Sequence, residues 1–413
     1  NHRDLATTAR PIPPASTTVP ALRVTRQMGL LTGLDVVLRA PPTRLRESSS
    51  FGLLSNQAST TDDFVLAADA LHDRFPKQLR ALFGPQHGMW STEQDNMIES
   101  PHATYRGVRV FSLYSETRRP TAEMLAGLDL LLVDLQDVGT RVYTYIWTLV
   151  HCLEACAEQG VEVMVLDRPN PLGGAVAEGE LLEVAFASFV GRCPIPMRHG
   201  LTIGELASYC NEQMEIGCAL QVIEMRGWQR AMLWPDTHRP WLPPSPNLPR
   251  FEGALVYPGQ VLLEGCNLSE GRGTTTPFEQ FGAPWIDPSH LADTLPAIEG
   301  AVLRPVSFEP TFQKWAGRTC HGLVLPTTHA DAFRPYRFTL LLLRQIRRLY
   351  GDHFAWNDPP YEYEERLRPI DILAGGPQVR AFVDEDRSDT ELIRRSNAPA
   401  DWWQSASGCL LYA

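Results

Sequence analysis

The chain has 413 residues, of which 44% are hydrophobic and 21% charged, with a formal net charge of −11. That length fits two domains at about 100–200 residues each and leaves enough apolar material for a sizeable core. The acidic balance argues against nucleic acid as a partner, which calls for a basic surface, and no uninterrupted apolar run reaches the roughly 18 residues of a membrane span.

Residues 1–27, rich in Pro, Thr, Ala and Arg without a period, read as a flexible arm, with order beginning near Gly33. Apolar runs and helical patterns then alternate. Phe51–Ser55 is a short apolar run, 62–75 has helical spacing with Phe64, Ala67, Ala68, Leu71 and Phe75 on one side, and 79–83 is the next run. A strand at 108–114 leads to a helix at 121–128 with Pro120 at its start. A fully apolar strand at 130–135, a long helix at 143–159 and a strand at 161–166 follow. Continuous apolar strands alternating with helices predict a parallel sheet covered on both faces, in which ligands bind beyond the carboxyl ends of the strands. Four of these ends carry the same chemistry, at Asn56, Gln86-His87, Gln136-Asp137 and Asp167-Arg168. One such end is turn formation; four together point to a site.

Thr202 with Glu205 three residues on predicts a capped helix over 202–214. The stretch 243–249 is a proline-rich extended loop, and 264–275, dense in Gly and polar residues, is a second candidate site. From about residue 286 the β/α pattern returns, with an amphipathic helix at 338–350. The reading is therefore α/β, a Rossmann-like parallel-sheet domain over 28–285 carrying the site, followed by a smaller α+β C-terminal domain over 286–413.

The phosphate-binding glycine patterns GxGxxG and GxxxxGK[ST] are absent, as are GxSxG and HExxH, and no CxxC pair occurs among the eight cysteines. No nucleotide, metal or other cofactor is expected, and the cysteines are expected to be free thiols. What remains is carboxylates, amides, aromatics and arginines, a set that suits a carbohydrate. Glycosidases place two carboxyl groups about a sugar. The candidate acids are Asp134 or Asp137, Glu178, Glu264, Glu270 and Glu279. Arg141, Arg168 and Arg272 are candidate anion readers through bidentate contacts. His87 and His199 are candidate proton carriers.

These same segments resemble a known family. Residues 83–88, FGPQHG, look like its FGPEHG, and 134–145 like its D-x-QD-x-G-x-R-x-YTY run. Residues 166–171 match LDRPNP, 199–206 resemble G-x-T-x-GEL, 244–247 match PSPN, and 267–274 match NLSEGRGT. Six ordered motifs identify the chain as a member of the exo-β-N-acetylmuramidase (NamZ-type) family, long catalogued as a domain of unknown function. The resemblance covers the chain from about Gly33 onward. It implies exo-acting release of terminal N-acetylmuramic acid from peptidoglycan-derived amino sugars, with a small carbohydrate or muropeptide as partner. It also implies a soluble bacterial protein. With no leader visible and Asn1 rather than Met at the start, cytoplasm and export both stay open.

Strand ends and matched segments together make Glu270, Asp137, His87 and Asp95 the candidate catalytic groups. The candidate substrate-binding groups are Gln86, Asn56, Asn96, Gln136, Arg141, Tyr143, Asp167, Arg168, Asn170, Asn247, Glu264, Asn267, Arg272 and Thr274. One departure matters. The family's Glu in PEHG is Gln86 here, and an amide neither gives nor takes a proton at neutral pH. Three readings stay open: a carboxylate among Glu93, Asp95 and Glu99 replaces it; Glu270 or Glu264 is the acid throughout; or this member has another substrate or binds sugar without turnover. The 267–274 loop is expected to fold over the strand ends and complete one cleft.

Overall fold

A computed structural model describes residues 29–93, 103–114 and 116–413. The arm expected over 1–27, and the candidates Asp95 and Asn96 together with Glu99, lie outside the described residues. The apolar runs become the strands of one sheet: β1 (Phe51–Ser55), β2 (Leu79–Gly84), β3 (Ala103–Tyr105), β4 (Val108–Ser112), β5 (Leu130–Asp134), β6 (Glu162–Leu166) and β7 (Leu220–Ile223). Their order is β3-β4-β2-β1-β5-β6-β7. All neighbours pair in parallel except β3, which runs antiparallel to β4 at the edge.

Alternation along β5 shows why the sheet is covered twice. Leu131 and Val133 join the core that holds the helices Tyr145–Gln159 and Ile203–Gln213. Leu130 and Leu132 join the opposite core, with the helices Gly33–Arg39 and Ala67–Arg74. A period of two presents both sets at once, and a strand with two dry faces has to be apolar throughout. After β1 the chain adds β2 and then β4 to one side, and returns to place β5 on the other. That reversal opens a crevice beyond the ends of β1 and β5, the usual ligand position in such sheets.

A second, smaller sheet is antiparallel, with β8 (Gln280–Ala283), β9 (Arg304–Phe308) and β10 (Cys320–Val324) in the order β8-β10-β9. The helix Pro335–Tyr350 lies on the helix Phe251–Gln260 so closely that a Cβ on Gly259 would meet the Pro335 carbonyl oxygen at 2.0 Å. All eight cysteines are buried free thiols. Among the described residues no helix is long and apolar enough to cross a membrane.

Two expected elements change. The helix predicted over 62–75 runs only from Ala67 to Arg74. Thr61 and Val65 close a backbone turn instead, and Phe64 sits at positive φ and is exposed. Its spacing matched the buried stripe, but the turn hydrogen bonds take the backbone groups a helix would need. The helix predicted over 121–128 is the single turn Ala122–Leu125, capped by Thr121 and stopped before Gly127, whose φ is 77°. The capping box of Thr202 and Glu205 is present as predicted, opening Ile203–Gln213.

Candidate active site

A narrow cleft lies beyond the ends of β2 and β5. Gln86 and His87 reach it from the turn after β2, Tyr143 and Thr144 from the segment before the helix Tyr145–Gln159, and Ser245 and Asn247 from the proline-rich loop. Its other wall comes from later in the chain: Tyr257, Glu264, Arg272, Phe278, Tyr361 and Glu362.

The turn at Pro85–Gly88 closes through Gly88 N–H to the Pro85 carbonyl at 2.9 Å, with His87 at φ 68°. Nδ1 of His87 lies 2.7 Å from the Glu93 carbonyl, which can only accept, so Nδ1 carries the hydrogen and Nε2 is left to accept from Ser245 Oγ at 3.3 Å. Burial, with Arg272 nearby, pushes its pKa down to about 4, so the ring is neutral at physiological pH.

Arg272 and the acids around it form the electrostatic centre. Its guanidinium donates to Glu264 Oε1 at 2.6 Å and lies 3.5 Å from Glu270 Oε1. Burial works against the Arg272 charge, but Glu264 and Glu270 outweigh it and hold the pKa above its ordinary value. Tyr361 donates to Glu264 Oε2 at 2.7 Å, so both oxygens of that carboxylate are occupied. Glu270 is buried with Lys314 Nζ 2.7 Å from Oε2 and is not among the groups that line the cleft.

Glu362 is different. It is 4% exposed, faces the cleft, and has no ion-pair partner among the described residues. Burial and the neighbouring Glu264 push its pKa up to about 7, against the smaller pull of the Tyr114 hydrogen bond, Arg272 and Arg118. It sits at the tip of a hairpin turn closed between Tyr361 and Glu364, with Glu362 and Tyr363 both at positive φ, 44° and 68°. Two consecutive left-handed non-glycine residues cost local backbone energy. The turn is held by Arg118 stacked 3.7 Å from the Tyr363 ring centre and by edge contacts of that ring with Tyr114 and Phe189.

Of the residues singled out from sequence, the structure brings Gln86, His87, Tyr143, Asn247, Glu264 and Arg272 together in the cleft. Gln136 and Arg168 line a separate, smaller cavity with Asp62 and Trp234. Arg168 is consumed there by Asp134 at 2.5 and 2.8 Å and by the Thr60 carbonyl, while Gln136 donates to the carbonyls of Asp137 and Pro169. Asp137 accepts from Gly139 N–H and lies 3.3 Å from His199 Nε2. Asn56 ties the β1 end to Tyr145 and the Pro244 carbonyl. Arg141 donates to the carbonyls of Glu180, Ile195 and Leu373, and burial draws its pKa down to about 10.

Asp167 takes hydrogen bonds from Thr202, Gly204 and Tyr412. Burial nonetheless pushes its pKa up to about 6. Asn170 bonds Leu172 and Leu201 backbone, Asn267 bonds His353 and Ala355 backbone, and Thr274 closes its own turn onto Gly271. Sequence reasoning passed over Ser245, Tyr257, Tyr361 and Glu362. The signal for the last two was present in 359–365, PPYEYEE, where acids alternate with aromatics behind two prolines.

The molecule is thus a Rossmann-like α/β protein with a second α+β unit, and it holds a buried, polar, carboxylate-bearing cleft at the strand ends. The chain belongs to the exo-β-N-acetylmuramidase NamZ family: the N-terminal family model matches residues 51–252 and the C-terminal one residues 255–412. The cleft therefore draws its walls from both matched segments. The peptidoglycan β-N-acetylmuramidase NamZ of Bacillus subtilis (strain 168) is 41% identical over 365 residues, covering 88% of this chain and 86% of that one. Two solved DUF1343 family proteins of Bacteroides fragilis NCTC 9343 share the fold. One superposes with a TM-score of 0.82 at 29% identity, covering 94% of this chain and all of the other. The second gives 0.70 at 25%, covering 93% and 99%.

Proposed function

We propose that this protein is an exo-acting glycoside hydrolase that releases terminal N-acetylmuramic acid from peptidoglycan-derived fragments. The observation that carries the reading is the pair of buried carboxyl groups, Glu264 and Glu362, in one cleft that also offers amide, hydroxyl and aromatic side chains together with His87 and Arg272. Hydrolysis of a glycosidic bond asks for two carboxyl groups in different protonation states. The relative from Bacillus subtilis, whose name describes a peptidoglycan β-N-acetylmuramidase, supports the substrate class. Aromatic faces at Tyr143, Tyr257 and Tyr361 suit the apolar face of a sugar ring, and Gln86, Asn247 and Ser245 suit its hydroxyl and acetamido groups.

The test is cleavage of a chromogenic β-N-acetylmuramide by the full chain. Release above a boiled control supports the reading; none at high enzyme concentration between about pH 5 and 9 overturns it. Gln86 in the place of the family's Glu favours one other reading, a muropeptide-binding protein without turnover. Calorimetric binding of a muropeptide that survives the incubation intact would establish that instead.

A further inference from the structure

We propose that Glu362 is the proton donor to the glycosidic oxygen, and that Gln86 and Tyr114 are positioning residues that aim it; this rests on the hydrolase reading above. The cleft holds two carboxyl groups. Glu264 has one oxygen on Arg272 and the other on the Tyr361 hydroxyl, so the protein occupies both. Among the described residues Glu362 has a single hydrogen bond, from the Tyr114 hydroxyl to Oε2 at 3.2 Å. Its Oε1 receives none from the described residues, and the residue lines the cleft. A buried carboxyl with no cation of its own next to a clamped carboxylate keeps its proton, and Oε1 is where that proton is available to a ligand.

The charged and titratable groups around Glu362 are Tyr114, Arg118, Glu264 and Arg272. Tyr257 and Tyr361 also feel its charge, and neutral His87 lines the same cleft. The two arginines do not cancel the effect of burial. Arg272 is shared between Glu264 and Glu270, and Arg118 is stacked on Tyr363.

Gln86 then has a physical reason. Its Oε1 accepts from Thr144 Oγ1 at 2.6 Å, which fixes the amide so that Nε2 donates to the Tyr114 oxygen at 3.2 Å. Tyr114, accepting there, turns its own hydrogen towards Glu362. A carboxylate at position 86 is an acceptor only. It would draw the Tyr114 hydrogen to itself and set a second negative charge near Glu362. The amide and the acid at 362 therefore belong together, and the acid that position 86 lacks is supplied by the hairpin at 361–364.

The step balances. The Glu362 carboxyl gives its proton to the bridging oxygen as the C1–O bond breaks, and the bonding pair leaves with that oxygen. Water adds its oxygen to C1, and the proton it loses restores Glu362. The Glu264 carboxylate stays ionised throughout and faces the positive charge that develops on the sugar.

The experiment compares wild type and Glu362→Gln on two substrates. The first is the disaccharide of N-acetylmuramic acid linked to N-acetylglucosamine; the second is a dinitrophenyl β-N-acetylmuramide, whose leaving group needs no proton. A general acid contributes about 10²–10⁴-fold, so kcat/KM on the disaccharide should fall by that factor and on the dinitrophenyl glycoside by less than about tenfold. The alkaline limb of the wild-type rate profile should disappear in the variant. Retention of disaccharide activity within about threefold, or an equal loss on both substrates, overturns the assignment.

Should Glu362→Gln fail to fold, Tyr114→Phe leaves the acid in place and removes the hydroxyl that favours its ionised form, along with that hydroxyl's bond from Gln86. The alkaline limb then moves to higher pH, and an unmoved limb overturns the proposal. Wild type inactive on both substrates refutes the hydrolase reading itself, before any variant is needed.

Discussion

Glu362→Gln should make the protein more stable, and only above neutral pH. The ordinary glutamate pKa is 4.5, and burial with Glu264 alongside pushes Glu362 up to about 7. Between those values the folded chain keeps a proton that the unfolded chain has released, so stability falls as pH rises through the window and the loss is complete above about 7. The displacement of about 2.5 units corresponds to about 3 kcal/mol at 1.36 kcal/mol per unit, for a side chain 4% exposed and little screened by solvent. Glutamine keeps the shape and an oxygen for the Tyr114 hydroxyl but carries no charge. Urea unfolding followed by tryptophan fluorescence should give matching curves for the two proteins near about pH 4.5. Near about pH 8.5 the variant should be more stable by about 3 kcal/mol. Groups that titrate alike in both proteins cancel in the difference. A variant that is no more stable at the alkaline end, or equally shifted at both, would refute the burial argument for Glu362.

Four further outcomes follow from the same geometry. His87, pushed by burial from 6.5 down to about 4, binds its proton in the unfolded chain first, so wild type loses stability as pH falls through that window. His87→Asn should recover about 3 kcal/mol near pH 4 relative to pH 8 in the same unfolding assay. Asp134→Asn leaves the buried Arg168 guanidinium without its carboxylate and should cost about 3–5 kcal/mol by denaturant titration. Arg141→Met strips three buried carbonyls of their donor. It should lower stability by about 3 kcal/mol or more and leave KM for a muramide unchanged, since the guanidinium is not in the cleft. Gln86→Glu should shift the alkaline limb of the pH–rate profile upward by about one unit without raising kcat. A variant that cleaves muropeptide where wild type only binds it would establish the binding reading.

Much of the scaffold was readable before any coordinates. A strand that is dry on both faces has to be apolar at every position, so β1 and β5 announced themselves, and with them a parallel sheet. The polar strand ends were equally visible, and the turn after β2 does deliver Gln86 and His87 to the cleft. What single residues cannot show is which polar groups are spent on the protein itself. Asp167, Arg141 and Asn170 occupy the same kind of position in sequence as Gln86, yet their bonds are consumed by helix ends and loop carbonyls. Parallel strand ends leave many backbone groups to satisfy, and short polar side chains do that work as readily as they meet a ligand. Glu362 escaped for another reason. An acid in a Pro- and Glu-rich hairpin reads as solvent-facing, and only the packing of Tyr363 against Tyr114 and Phe189 turns that tip inward.

The bond between Tyr114 and Glu362 joins residues 248 positions apart. On a ribosome adding about 5–20 residues per second, the later partner emerges roughly 12–50 s after the earlier one. Once β7 has emerged within that interval, the nascent sheet can be complete while the cleft lacks its second wall. The two walls of the cleft are thus made at well-separated times, and the cleft is whole only after the hairpin at 361–364 has been added.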